Sequence, residues 1–147
     1  HVQHDQIGGR YGYQRGSMSH VMTAEALLCR QYLGWPKDHK GLGSGAEFLL
    51  DKHPPKADQP NIYYWYYATQ VMHHLGGERW EKWNALMRDV LVQTQRTTGH
   101  AAGSWDPRGG HSHQGGRIYM TALSVCTLEV YYRHMPIYSS DVLMPLE

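Results

Sequence analysis

The chain has 147 residues, of which 41% are apolar, 18% charged and 12% aromatic, enough for one globular domain that buries roughly two-thirds of its surface. Lysine and arginine number 14 against 13 for aspartate and glutamate, and this balance excludes the basic surface of a nucleic-acid-binding domain. Its apolar runs are far shorter than the roughly 20 residues that span a bilayer. We therefore expect a soluble chain without a transmembrane segment, and neither the cytoplasm nor the periplasm is favoured.

The first predicted helix follows an irregular lead-in. Residues 1–17 mix glycine, glutamine and arginine without a period. From Met18 to Leu33, apolar side chains recur at helical spacing on two neighbouring stripes, which predicts an inner helix buried on both sides. Gly34 and Pro36 end this helix, because proline cannot continue it and glycine suits its cap.

A short helix and a long aromatic helix come next. Residues 41–45 predict a flexible turn, and residues 46–50 predict a short helix that ends before two prolines. Asn61 can cap the following helix, which runs as far as Gly76 and is apolar on nearly all sides. Its aromatic start also fits a β-strand, but the continuation over residues 68–75 favours a helix.

Two further helices complete the predicted fold. Residues 80–91 have one apolar and one charged face, which is typical of the outer helix of an αα-hairpin. A loop rich in glycine and histidine occupies residues 93–116. Residues 117–135 then predict another inner helix, with Ile118, Val125 and Tyr132 on one of its two apolar stripes. No strand signal is comparably strong, so the sequence predicts an all-α fold of about five main helices.

The first and last long helices share the tripeptide Met-Thr-Ala, at residues 22–24 and 120–122. Buried and one-faced helices alternate between them with a period of about 50 residues, as in helical-hairpin repeats. At the last junction, Gln93 or Gln95 precedes Gly103-Ser104-Trp105. There glycine turns the chain, the indole covers a helix end, and the glutamine amide ties neighbouring hairpins together. Gly12-Tyr13 is interpreted as a degenerate copy of this junction.

The glutamine and Gly-x-Trp pattern resembles the QW motif of squalene-hopene and oxidosqualene cyclases, with a longer spacer. Residues 103–132 also resemble the Gly-Gly…Asp…Tyr-His-Thr stretch of protein prenyltransferase β subunits. Together these resemblances cover most of residues 10–138. They imply the α/α toroid of the terpenoid cyclase/protein prenyltransferase-like superfamily, in particular of prenyltransferase and squalene-oxidase repeat proteins.

The expected organisation follows from this resemblance. Residues 1–17 form an irregular N-terminal segment, residues 18–138 form a toroid-repeat domain, and residues 139–147 form a tail. A complete toroid has more helices than the five counted here, and the chain opens on His1 without an initiator methionine. We therefore expect the C-terminal portion of a larger toroid. Because its inner helices would leave apolar faces uncovered, we also expect a protein partner or a second copy.

The catalytic groups that the resemblance implies are not matched. Cyclases of this type protonate an alkene with an Asp-x-Asp-Asp motif, which this sequence lacks. The zinc-binding histidine of the prenyltransferase stretch falls on Met120, a poor zinc ligand. The resemblance therefore favours a module that binds, scaffolds or assembles without catalysis of its own. The alternative is an enzyme, as the C-terminal half of a terpenoid cyclase or prenyltransferase with an aromatic cavity.

No catalytic residue can be assigned, but aromatic residues are candidates to line a cavity for an apolar small molecule. A third hypothesis is a metal protein, with nitrogen and oxygen ligands for zinc or another divalent metal in the histidine-rich loop; the alternative is a plain exposed loop, with no cofactor. The cavity candidates are Tyr63, Tyr64, Trp65, Tyr67, Trp105 and Tyr119, and the metal candidates are His100, Asp106, His111 and His113.

Two other residue pairs receive structural interpretations. His73 and His74 lie at a predicted helix end, where imidazoles complement the helix dipole and cap its carbonyls. Cys29 and Cys126 lie in apolar stretches without zinc-finger spacing. Free cysteines of this kind are usually core residues, so we expect two buried thiols.

Overall fold

The computed structural model describes residues 2–3, 8–14 and 17–138, and most of this part is helical. One antiparallel pair of two-residue strands precedes the helices. The all-α fold class is therefore confirmed. None of the described helices is both long and apolar enough to cross a membrane. In chain order the elements are β1 (Val2–Gln3), β2 (Tyr11–Gly12), α1 (His20–Tyr32), α2 (Lys40–Lys52), α3 (Ile62–Leu75), α4 (Gly77–Thr94), a 3-10 turn (Gly99–Ala101), α5 (Ser112–Leu128) and α6 (Val130–Arg133).

The helices lie in two rows. The first row contains α1, α3 and α5, and α3 packs against both of the others. The second row contains α2 and α4, which pack against each other and against the first row. Every residue of α3 from Ala68 to Leu75 is buried, so this helix is the centre of the core. The arrangement places the start of α3 beside the loop between α4 and α5.

The predicted bounds of α3 are confirmed. Asn61 is its N-cap, and the side-chain oxygen accepts the backbone N–H of Tyr64 at 3.1 Å, which satisfies one of the amides left unpaired at a helix start. Gly76 and Gly77 follow its last residue with φ angles of 64° and 60°. This left-handed backbone favours glycine and turns the chain directly into α4.

The predicted turn at residues 41–45 is wrong, because these residues form the first part of α2. Their glycines allow close packing. A Cβ atom on Gly45 would fall against the carbonyl oxygen of Gly9 and 2.7 Å from Cδ1 of Leu27. The N-terminal loop therefore lies with its backbone directly on α2. This contact explains why a helix contains residues that each lower helix propensity by about 1 kcal/mol relative to alanine.

The last helix differs from its prediction. The predicted continuous helix over residues 117–135 ends at Leu128, and the four-residue α6 follows. Ile118 and Tyr132 are 85% and 91% exposed, and Val125 is also exposed. The stripe that these three residues form was predicted to be buried. It faces away from α3, and the core side of α5 carries Met120, Ser124 and Thr127 instead.

The first helix is also less buried than its two apolar stripes predict. Leu33, just after α1, is exposed, and Cys29 is a free and exposed cysteine. The expected buried thiol is therefore wrong for Cys29, whereas Cys126 on α5 is half-buried. All-round burial holds for α3 alone among the three predicted inner helices, because α3 has a packed neighbour on both sides.

Candidate binding site

The junction before α5 places the Trp105 indole at the end of α4, as the sequence pattern predicts, but the Gln95 amide bonds within its own loop, whereas it is predicted to tie neighbouring hairpins together. The indole N–H of Trp105 donates to the carbonyl of Leu91 at 2.8 Å, and this carbonyl is one of the last four of α4, which have no partner within the helix. The side-chain amide of Gln95 donates to the carbonyl of Gly103 at 3.0 Å. The hydroxyl of Thr121 accepts the backbone N–H of Trp105 at 3.3 Å. The indole is therefore fixed both to the end of α4 and to α5.

A related junction precedes α1. The hydroxyl of Thr23 accepts the backbone N–H of Tyr11 at 3.0 Å and donates to the carbonyl of the same residue at 3.3 Å. The threonines of both Met-Thr-Ala tripeptides thus hold the backbone of an aromatic residue in the preceding loop. The aromatic residue in the first junction is Tyr11, which is buried, rather than Tyr13 of the predicted Gly12-Tyr13 copy, which is exposed.

A cavity of about 300 Å³ lies beside the Trp105 junction, between the start of α3, the end of α4 and the loop that leads to α5. Its buried lining residues are all apolar, and its exposed ones are mostly polar. The buried set forms a floor on which hydrocarbon or aromatic surface can pack. This floor consists of Trp65, Leu91, Trp105 and Met120.

The mouth of the cavity carries an arginine-rich cluster around Asp106. Nη2 of Arg117 donates to Oδ1 of Asp106 at 2.5 Å, and Nη1 of Arg96 lies 3.8 Å from Oδ2. The hydrogen bond from Arg117, together with the charges of Arg117, Arg96 and Arg108, holds the pKa of the Asp106 carboxyl below its usual value. Among the described residues that line the cavity, Asp106 is the only acidic one, against Arg96 and Arg108, so these side chains give the mouth a positive charge.

A separate aromatic cluster lies on the opposite side of α3. The rings of Tyr63 and Tyr67 are 5.0 Å apart, and the ring of His111 is 5.8 Å from that of Tyr63. Burial, with smaller contributions from Tyr67 and Glu25, raises the pKa of the Tyr63 hydroxyl. The hydroxyl of Tyr119 is buried and has no hydrogen-bond partner among the described residues. None of these side chains lines the cavity beside Trp105.

The six predicted cavity residues therefore fall in three places. Trp65 and Trp105 line the cavity, as does Asp106 from the predicted metal set. The tyrosines at 63, 67 and 119 belong to the aromatic cluster on the other side of α3. Tyr64 points into the hairpin core, where its hydroxyl donates to the carbonyl of His53 at 2.9 Å and burial raises its pKa.

The four predicted metal ligands are not brought together. Asp106 is engaged by arginine, and His100, His111 and His113 are exposed. Within residues 2–3, 8–14 and 17–138, no group of three or more histidine, cysteine, aspartate or glutamate side chains is arranged to hold a metal ion. The histidine-rich loop thus offers single exposed imidazoles.

The two histidines that the sequence analysis assigns to a helix cap, His73 and His74, are buried and form a cluster with His134 at the end of α3. Nδ1 of His74 accepts the backbone N–H of Ile137 at 3.4 Å, and its Nε2 lies 3.4 Å from the hydroxyl of Tyr32. Burial, followed by the nearby His73 and His134, lowers the pKa of His74 to about 4. The sequence predicts that these imidazoles cap helix carbonyls, whereas the ring nitrogens of His74 contact the Ile137 N–H and the Tyr32 hydroxyl. The burial of His73 and His74 could have been predicted from their position on a helix that is apolar on nearly all sides.

Comparisons with known proteins give no match. No protein-family model matches the chain, and neither a curated protein nor a solved structure is significantly similar to it. The function must therefore be argued from geometry. The cavity beside Trp105 combines an apolar floor with a positively charged mouth, which is the composition of a site that binds and orients a small molecule.

Proposed function

We propose that this chain is a helical-hairpin repeat module of the α/α-toroid type, similar to the squalene-cyclase and prenyltransferase repeat proteins, and that it acts by binding and assembly without catalysis of its own. One observation carries the proposal. Thr23 on α1 and Thr121 on α5 hold the aromatic residues Tyr11 and Trp105 in the same manner. A repeated junction of this kind, in helices that both pack on α3, is expected of a duplicated hairpin unit.

The chemistry of the matched positions supports a binding role. The resemblance to prenyltransferases places their zinc-binding histidine at Met120, and the Met120 side chain is packed in the core with only 4% of its surface exposed. A thioether in the core cannot replace an imidazole on a zinc ion. The acidic motif of the cyclases is also missing from the printed sequence.

The binding surface for assembly, on this proposal, is the outer side of α5, and its occupant is a second copy of the chain. Ile118 and Val125 are exposed there, beside a shallow and almost wholly apolar depression. At the other end of the first row, Tyr32 and Leu33 are exposed at the end of α1. If α5 of one copy packs against α1 of the next, the row continues and both apolar ends are covered.

Light scattering over a range of protein concentrations tests this assembly. We expect the wild-type chain to form dimers or larger species and Ile118→Asp to raise the dissociation constant by about tenfold or more, because it places a carboxylate in an apolar contact. Val92→Asp is the matched control, since Val92 is also an exposed apolar residue but lies on α4. A wild-type chain that stays monomeric at every concentration contradicts the proposal, as does equal weakening by both substitutions.

A further inference from the structure

We propose that the cavity beside Trp105 binds a small organic anion that has a flat apolar body and a carboxylate or similar acidic group. This inference deepens the binding role proposed above by naming a ligand class for one site. It depends on the two indoles in the floor of the cavity and on the two arginines at its mouth. Arg117 and Ser104 border both this site and the α5 surface proposed for assembly. The exposed apolar residues Ile118 and Val125 of that surface, however, are not needed for it.

The floor of the cavity determines the shape of the ligand. Trp65 and Trp105 are each 3% exposed, so their orientation is fixed by the core. At about 300 Å³ the cavity is at the small end of ligand-binding pockets. A body of one or two rings fits this space, with an edge on the small exposed part of the floor and apolar contact with the half-buried Pro60 and Val90. Long or branched hydrocarbons are excluded by the volume.

The mouth of the cavity determines the charge of the ligand. Arg117 is engaged by Asp106 at 2.5 Å and by the Ser104 hydroxyl at 3.0 Å. Arg96 lies farther from the carboxylate, at 3.8 Å, and half of its side chain is exposed. Two arginines thus share the single charge of Asp106, and Arg108 lines the cavity as a further cation, so positive charge is in excess at the mouth. Guanidinium groups bind carboxylates through two parallel hydrogen bonds, so an anion is favoured at this position.

The loop that carries Arg96 is held in place before any ligand binds. The backbone N–H of Arg96 donates to the carbonyl of Ser104 at 2.8 Å, and its carbonyl accepts the N–H of Gly103 at 2.7 Å. The Gln95 amide adds a third bond across the same loop. In a pre-formed site, less of the binding free energy is lost to ordering of the protein.

The charge preference can be measured with two probes of equal size, 2-naphthoate and the neutral 2-naphthalenemethanol, by isothermal titration calorimetry. We expect the wild-type chain to bind naphthoate about tenfold more tightly or better, because hydrogen bonds to charged groups strengthen binding by this order. The double substitution Arg96→Ala and Arg108→Ala should remove the preference. Arg88→Ala is the control, since Arg88 is an exposed arginine of α4 that pairs with Asp89.

A second variant tests the location. Ala57 is an exposed residue of the cavity lining, and Ala57→Trp should block both probes without affecting the core. Absence of binding by the wild-type chain overturns the inference, and so does equal affinity for the two probes or binding that survives Ala57→Trp. Loss of assembly in the light-scattering experiment leaves this result unaffected, because the cavity and the α5 surface are tested by different substitutions.

Discussion

The two threonine-held junctions use the same hydrogen bond in different surroundings. Around Tyr11 and Thr23 the junction is closed: both residues are buried, and Nε of Arg30 donates to the Tyr11 hydroxyl at 3.3 Å. Around Trp105 and Thr121 it is open, with a cavity on one side and exposed α5 on the other. The same hydrogen bond to a threonine hydroxyl can therefore stabilise a buried core or lie beside a binding site.

The difference comes from what packs outside each junction. The loop before α1 lies on α2, where backbone meets backbone at Gly9 and Gly45. The loop before α5 is longer, and its polar groups are paired within the loop or with arginine side chains. Beside Trp105 a cavity lies where the first junction has a packed helix. We expect the closed junction to contribute more to the free energy of unfolding and the open junction to bind the ligand.

The largest expected effect tests the closed junction. Gly45→Ala should lower the free energy of unfolding by about 3 kcal/mol, because the new methyl group would overlap Gly9 and Leu27. Gly43→Ala in the same helix is the control. Its Cβ would lie 3.8 Å from Arg79, so the gain in helix propensity should raise stability by up to about 1 kcal/mol. Urea unfolding of both variants measures the contrast, and equal effects would show that the close contact is not formed.

The next effect compares the two threonines directly. Thr23→Val removes two hydrogen bonds at a fully buried position and should lower the free energy of unfolding by about 2 kcal/mol. Thr121→Val removes one bond at a half-buried position and should lower it by about 1 kcal/mol. Denaturant titration decides the order. A larger loss for Thr121→Val would mean that the open junction is the more important one for stability.

The smallest effect concerns acid. At the end of α3, Nδ1 of His74 accepts the backbone N–H of Ile137. The hydroxyl of the neighbouring Tyr138 donates to the Trp35 carbonyl at 2.6 Å. Because the pKa of His74 falls from 6.5 unfolded to about 4 folded, the unfolded chain binds more protons between these values. The contribution of His74 to stability should therefore fall by about 1 kcal/mol between about pH 7.5 and pH 6. His74→Gln should reduce this dependence in urea unfolding at the two pH values.

The exposed His100 in the open loop serves as the control for this measurement, and His100→Gln should leave the pH dependence as it is in the wild-type chain. An equal response from both substitutions would mean that the acid sensitivity does not come from His74 at the end of α3. The pH dependence would then not distinguish the buried end of α3 from the open loop before α5.

Sequence reasoning predicts α3 well, because its cap residue, its glycine stop and its apolar residues all favour the same helix. Asn61 and Gly76 lie where the pattern places them. The start of α2 was mispredicted because glycine is typical both of turns and of close backbone packing, and a single sequence does not separate the two uses. Gly45 is in contact with Gly9, which is 36 residues away in the chain, and helix propensity contains no information about such a partner.

The candidate site shows the same division. The position of the Trp105 indole at the end of α4 was predicted from a local pattern and is confirmed, whereas the Gln95 amide bonds within its own loop and not between neighbouring hairpins as predicted. Tyr63 and Trp65 could not be separated by sequence, although they face opposite sides of α3 and only Trp65 lines the cavity. The exposed side of α5 was mispredicted because an apolar stripe has the same appearance whether it meets the core or a partner. Periodicity reports that a surface is apolar, and the neighbouring helices determine whether it is covered.

The two cysteines give this helical row a natural pair of labelling sites. They are the only cysteines in the sequence, and they lie on α1 and α5, the two helices that flank α3. Cys29 is exposed and Cys126 is half-buried, so a thiol-reactive spin label reaches the first before the second. The distance between two such labels reports the separation of α1 and α5 without any substitution in the chain. It also reports whether that separation changes when a ligand or a second copy binds.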